Sequence, residues 1–173
     1  RLTSATWQQA WPLLAAPLLH STGLAALSAL LALVLTLACL EQESRSGRAV
    51  KARTLALLYL PLLVPQIGFL FGVQVLAAKL DLVGTFVAVA WAHLLFVLPY
   101  VFLTLGDAWR ALDPRFSRIA LCLGRRPAAI FWRIKLPLLR GPVATALAIG
   151  FAVSFSLYPV SYTHLRAHET RED

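Results

Sequence analysis

Residues 21–40, reading STGLAALSALLALVLTLACL, contain no charged side chain. At about 1.5 Å per residue, a helix of that length reaches across the roughly 30 Å hydrocarbon core of a bilayer. In lipid the backbone N–H and C=O groups must be satisfied internally, and a contiguous apolar run does this as a helix. Three further apolar stretches, at about 54–78, 82–105 and 138–158, share this character apart from Arg140 near the start of the last. The expected fold class is an all-α membrane protein: a polytopic helical bundle with about four transmembrane helices, forming one transmembrane domain over residues 1–159.

Composition agrees. Apolar residues make up 59% of the 173 and charged ones 14%, where a soluble domain carries about 25% charged residues. The net charge of +8 raises the question of a nucleic-acid partner. The basic residues answer it by position: Arg45, Arg48, Lys51 and Arg53 fall in one loop, and the rest of the main cluster runs from Arg110 to Arg140. Clustering in alternate loops is the positive-inside signature of cytoplasmic segments, so no nucleic-acid partner is expected. The charges of the 41–53 loop read most simply as a solvated topological anchor. Cys39 and Cys122 have no disulfide or metal partner in view and are expected to be packing residues.

Residues 1–20 hold Trp7, Trp11, Pro12 and Pro17 and read as a periplasmic approach without an uninterrupted span. The second stretch is broken up by Pro61, Pro65, Gly68 and Gly72, the two glycines forming a GxxxG packing pattern. It carries Gln66 and Gln74, which either bond between helices or face a translocation pathway. His93 lies near the middle of the third stretch and is the remaining pathway candidate, against a neutral imidazole bonded to a neighbouring helix. The fourth contains Gly141, Pro142 and Gly150, with Ser154 and Ser156 late in it. The chain has no Met and no readable signal peptide, and is expected to be a fragment. Residues 160–173 are expected to be a non-native or disordered tail, with a native tail as the alternative; His164 and His168 are left out of any metal argument.

The longest polar interruption, residues 112–139, reads LDPRFSRIALCLGRRPAAIFWRIKLPLL. Asp113-Pro114 is a helix start, with an N-cap acceptor followed by a preset φ. Phe116, Ile119, Ala120 and Leu123 recur at helical spacing, and Gly124 stands where a helix ends in a left-handed residue. Pro127 can open a second short helix with Ile130, Phe131 and Ile134 on its apolar side. Leu136-Pro137 is expected to turn the chain into the next span.

The spacing of Ala120, Gly124, Ile134 and Leu136-Pro137 resembles the EAA loop of ABC-importer permease subunits, EAA-x3-G-x9-I-x-LP. The resemblance implies a MetI-like permease core, incomplete here, in the bacterial cytoplasmic (inner) membrane. It implies that the loop, within a cytoplasmic segment at 106–137, docks its first helix into an ATPase subunit. Phe116, Ile119 and Leu123 would supply the docking face. One departure stands out: Arg118 occupies the position of the family's Glu, and Ile119 that of its first Ala. By the same resemblance ATP and Mg sit on the partner ATPase and no cofactor on this chain. The further partners are a second permease and a periplasmic or lipid-anchored substrate-binding protein. Thiamine, ferric iron and small oxyanions are the cargoes the layout most resembles.

Orientation has an independent check. With residues 112–139 cytoplasmic, the third stretch runs inward, the second outward and the first inward, which places the basic 41–53 loop in the cytoplasm as well. No Walker motif, metal cluster or nucleophile with a positioned base is present in the sequence, so the expectation is not an enzyme. The competing class is an ATPase-independent transporter or channel whose basic loops only anchor topology.

Overall fold

The computed structural model describes the backbone of residues 4–83 and 85–169, and side chains from 18 to 157 apart from 66, 67 and 84, with that of Ala15 in addition. Every described element is helical: α1 Ser4–Ser46, α2 Ala52–Leu63, α3 Gln66–Lys79, α4 Phe86–Arg110, α5 Pro114–Cys122, α6 Pro127–Ile130, a π-helical turn Phe131–Lys135, α7 Leu136–Leu138 and α8 Arg140–Glu169. Among the described residues, three segments are long and apolar enough to cross a membrane: Leu18–Ser46, Phe86–Arg110 and Arg140–Leu157. The pair α2 and α3 makes a fourth only if counted together across a bend of 108°.

The core is where α1, α4 and α8 meet. Ala25, Ala29 and Ala32 of α1, Val97 and Val101 of α4, and Ala146 of α8 are buried there. Small residues let membrane helices approach closely, because no water is available to drive larger side chains together. Gly150 marks the tightest point. A Cβ there would lie 2.9 Å from Val101 Cγ2, 3.1 Å from Val97 Cγ1 and 3.4 Å from Ala29 Cβ. Gly68 and Gly72, the GxxxG pair, have nothing within 4 Å of such a position and are exposed. The spacing is therefore not used for packing within this chain.

Ion pairs between Glu43 and Arg110 and between Glu41 and Lys135 bring the C-terminal ends of α1 and α4 together with the approach to α8. Thus α1 and α4 run parallel, and α8 returns antiparallel to both. The connection from the end of α1 to the start of α4 must then travel the length of the bundle. α2 and α3 lie in that connection as a bent pair. The break has a local cause. Val64 is extended (ψ 138°), as the residue before a proline prefers, and Pro65 opens α3 without contributing a donor. Phe69 of α3 holds to Phe96 of α4 edge-on, with ring centroids 5.1 Å apart.

Several boundaries differ from the sequence expectation. α1 runs from Ser4 through Pro12 and Pro17, so from Ser4 on the approach is continuous helix with the first span; a transmembrane helix tolerates the missing N–H groups better than a soluble one. It stops at Gly47, whose φ is +64° and whose N–H donates to Glu43 O at 3.1 Å. The third span begins at Phe86, where Thr85 Oγ1 accepts the Ala88 N–H, and continues to Arg110. α8 carries helical backbone to Glu169. Cys39 and Cys122 are exposed and pack in no core.

Candidate docking loop

Between α4 and α8 the chain makes three local decisions. At the start, Asp113 caps α5: its Oδ1 accepts the Arg115 N–H at 2.8 Å, and Pro114 fills the first helical position. At the end of α5, Gly124 adopts φ +73°. The Arg125 N–H donates to Ala120 O at 3.0 Å and the Gly124 N–H to Leu121 O at 2.9 Å. This is a Schellman cap, and a residue without Cβ takes that φ at least cost. The chain then restarts at Pro127 after an extended Arg126.

The third decision was not legible as such. Leu136-Pro137 does not turn the chain. Leu136 has φ −62° and ψ −45°, and its N–H reaches back to Phe131 O, the fifth residue before it. Pro137 offers no N–H, so the helical ladder is interrupted there in any case, and the widened turn accommodates the gap. The Leu139 N–H then bonds Lys135 O at 3.0 Å, and the path stays helical into α8.

The apolar stripe of α5 is largely exposed. Phe116, Ile119 and Leu123 are 53%, 60% and 75% exposed, while Ala120 on the adjoining edge is 5% exposed. Beneath α5 lies a cleft of about 520 Å³, lined among others by Phe116, Arg118, Leu121, Leu40, Trp109 and Lys135, so that Phe116 also borders it. Arg118 is exposed beside that cleft. Ile134 and Leu136 are half-buried and Pro137 is exposed, whereas Ile130 is buried and Phe131 packs on Trp109, centroids 6.1 Å apart. The arrangement brings Phe116, Ile119 and Leu123 together on one exposed face and leaves Ile134, Leu136 and Pro137 on the helical path behind it.

The pathway candidates fall on α3 and α4. His93 is buried in the three-helix core, its Nδ1 2.7 Å from Ser154 Oγ of α8. It bonds across helices within the chain and does not face an open side. Gln74 is exposed on α3, and the side chain of Gln66 lies outside the described residues.

A second group went unrecognised in sequence. Glu41 and Glu43 are not a solvated anchor; their side chains are largely covered and paired. Lys135, itself buried, donates to Glu41 Oε2 at 2.7 Å and to Ser44 Oγ at 3.1 Å, and sits 5.2 Å over the Trp109 ring. Arg110 donates through Nε and Nη2 to the two oxygens of Glu43, at 3.1 and 3.2 Å. A signal existed: two carboxylates in the closing turns of a helix face its negative end, an unfavourable position that calls for cationic partners.

The chain is 43% identical over 101 residues to the inner membrane ABC transporter permease protein YnjC of Escherichia coli (strain K12), a match covering 58% of this chain and 20% of YnjC. It is 30% identical over 177 residues to the molybdenum transport system permease protein ModB of Mycobacterium tuberculosis (strain ATCC 25618 / H37Rv), covering 91% of this chain and 66% of ModB. ModB of Mycobacterium bovis matches to the same extent. The chain thus spans only part of the length of the curated relatives it matches. No family model matches it, and no solved structure does.

Proposed function

The chain belongs to the ABC transporter permeases, and from that premise we propose that it is the membrane-spanning subunit of an ATP-driven importer, coupled to a separate ATPase through residues 112–137. The observation that carries the reading is the apolar stripe of α5. Three large apolar side chains stand exposed on a short capped helix beyond the basic end of the bundle. Such a helix has no core of its own to bury them. A partner that covers them gains on the order of 1.5–3 kcal/mol per side chain, and interface energy usually concentrates in a few anchors of this kind.

In this reading ATP and Mg bind the partner, whose closure favours one of two arrangements of the spans. This chain hydrolyses nothing itself. Its residues receive the movement at Phe116, Ile119 and Leu123 and pass it on through the cap at Gly124 and the helical path to α8. A second permease would complete the pathway, and a substrate-binding protein would deliver cargo from outside the inner membrane. The buried position of His93 supports a structural role for it, and a pathway formed between subunits.

The test is ATPase recovered per unit of inserted permease. Phe116→Asp lies outside lipid, so insertion should be unchanged while ATPase recovery falls by roughly tenfold or more, the loss of about 1.4 kcal/mol or more at one anchor. Undiminished recovery would rule this face out as the docking site.

A further inference from the structure

We infer that the ion-pair cluster at the foot of α1 is a strut that carries movement of the docking loop into α1, with Lys135 as its positioning residue; this rests on the loop being the ATPase-docking element. α5 leaves two covalent routes into the spans. One runs back through Asp113 and Leu112 to α4, and the other forward through Gly124 and α6 to α8. Neither leads to α1, which is distant in sequence. Side chains alone join α1 to the loop, and the polar ones converge on Lys135.

The geometry there is that of a clamp. The Lys135 ammonium holds Glu41 at 2.7 Å and Ser44 at 3.1 Å, both on α1, while the ring of Trp109 on α4 lies beneath it at 5.2 Å. Arg110 ties the same end of α1 to α4 through both oxygens of Glu43. Further along the bundle the contacts between α1, α4 and α8 are largely apolar, with His93 of α4 bonded to Ser154 of α8. Apolar contacts are non-directional and permit helices to slide. A short charge-assisted hydrogen bond fixes register and transmits pull. The π-helical turn that carries Lys135 adds to this assignment, since such turns are frequent at functional sites. Removing Lys135 would leave Glu41 with the exposed Arg45, 2.8 Å away, which belongs to α1 itself and connects it to nothing.

The experiment uses the complete transporter assembled with its ATPase in lipid nanodiscs, with Cys39 replaced by Ser. An environment-sensitive bimane is placed on Cys122, at the side of the α5 stripe. In a second preparation lacking Cys122 it is placed on Leu19→Cys, an exposed position of α1 far from the loop. Mg–ATP with vanadate then closes the ATPase. With residues 41 and 135 unaltered, both labels should change emission. In Lys135→Met and in Glu41→Gln the Cys122 response should persist while the Leu19 response falls roughly fivefold or more, the lower range of a coupling between sites. The exchange Glu41→Lys with Lys135→Glu should restore most of it. A Leu19 response as large in Lys135→Met as in the unaltered chain overturns the strut. Loss of both responses in Lys135→Met, unrestored by the exchange, assigns Lys135 to folding alone and also overturns it. No response at Cys122 in the unaltered chain removes the docking reading, and the strut with it.

Discussion

Gly150→Ala tests the packing of the three-helix core at its tightest point. The new methyl would sit 2.9 Å from Val101 Cγ2 and 3.1 Å from Val97 Cγ1, where carbon atoms prefer about 3.5–4.0 Å. Both neighbours are β-branched side chains on α4, restricted at χ1, so relief requires α8 and α4 to separate. Overpacking of this kind costs about 1–3 kcal/mol. Alanine in place of a mid-helix glycine returns about 0.8–1 kcal/mol of helix propensity. The net effect should be destabilising by up to about 2 kcal/mol. Gly68→Ala on α3 gains the same propensity and meets nothing within 4 Å, so it should be neutral or stabilising by up to about 1 kcal/mol. The assay is the unfolding midpoint of purified protein titrated from mild detergent into SDS, for each variant and for Gly150→Ala combined with Val101→Ala. The double variant should recover part of the loss, since the two sites touch. A Gly150→Ala variant as stable as Gly68→Ala would refute the claim that α8 approaches α4 through a glycine.

Gly124→Val should lower ATPase recovery without changing insertion, because a β-branched residue at φ +73° is strained by more than about 1 kcal/mol; Gly124→Asn, which tolerates that region better, should retain more. Cysteines placed at Arg48 and at Arg126, in a background lacking Cys39 and Cys122, should both resist an impermeant thiol reagent added outside intact cells, and labelling of either would reverse the orientation. Arg110→Ala leaves Glu43 partly buried without its bidentate partner and should destabilise by about 1–3 kcal/mol; Glu43→Gln, which removes the charge together with the need for it, should cost less in the same SDS titration.

What could be read from sequence was local or periodic. The lengths of the apolar runs, the basic loops and the Asp113-Pro114 start each depend on a few neighbouring residues. So does the single glycine after Leu123, which has the left-handed φ expected of a helix end. What could not be read depends on residues brought together by the fold. Lys135 and Glu41 lie 94 positions apart, and no spacing rule links them. Which glycine is used for packing is decided by what faces it: Gly150 meets two valines, and the GxxxG pair meets nothing. Pro12 and Pro17 would stop a helix by propensity, yet α1 passes through both. The bend at Pro65 was visible as a break, but not its angle of 108°.

The π-helical turn at Phe131–Lys135 has a consequence for aim. Successive residues of an α-helix are offset by about 100°, so one residue more or fewer rotates everything on one side of the change against everything on the other. Deleting a residue within the turn would leave every span its length and composition. It would swing the face made by Phe116, Ile119 and Leu123 through roughly a quarter of a revolution about the axis of α8. The direction in which that face looks is set by a count of residues, as the clocking of a shaft is set by its keyway, and substitutions alone would not reveal it.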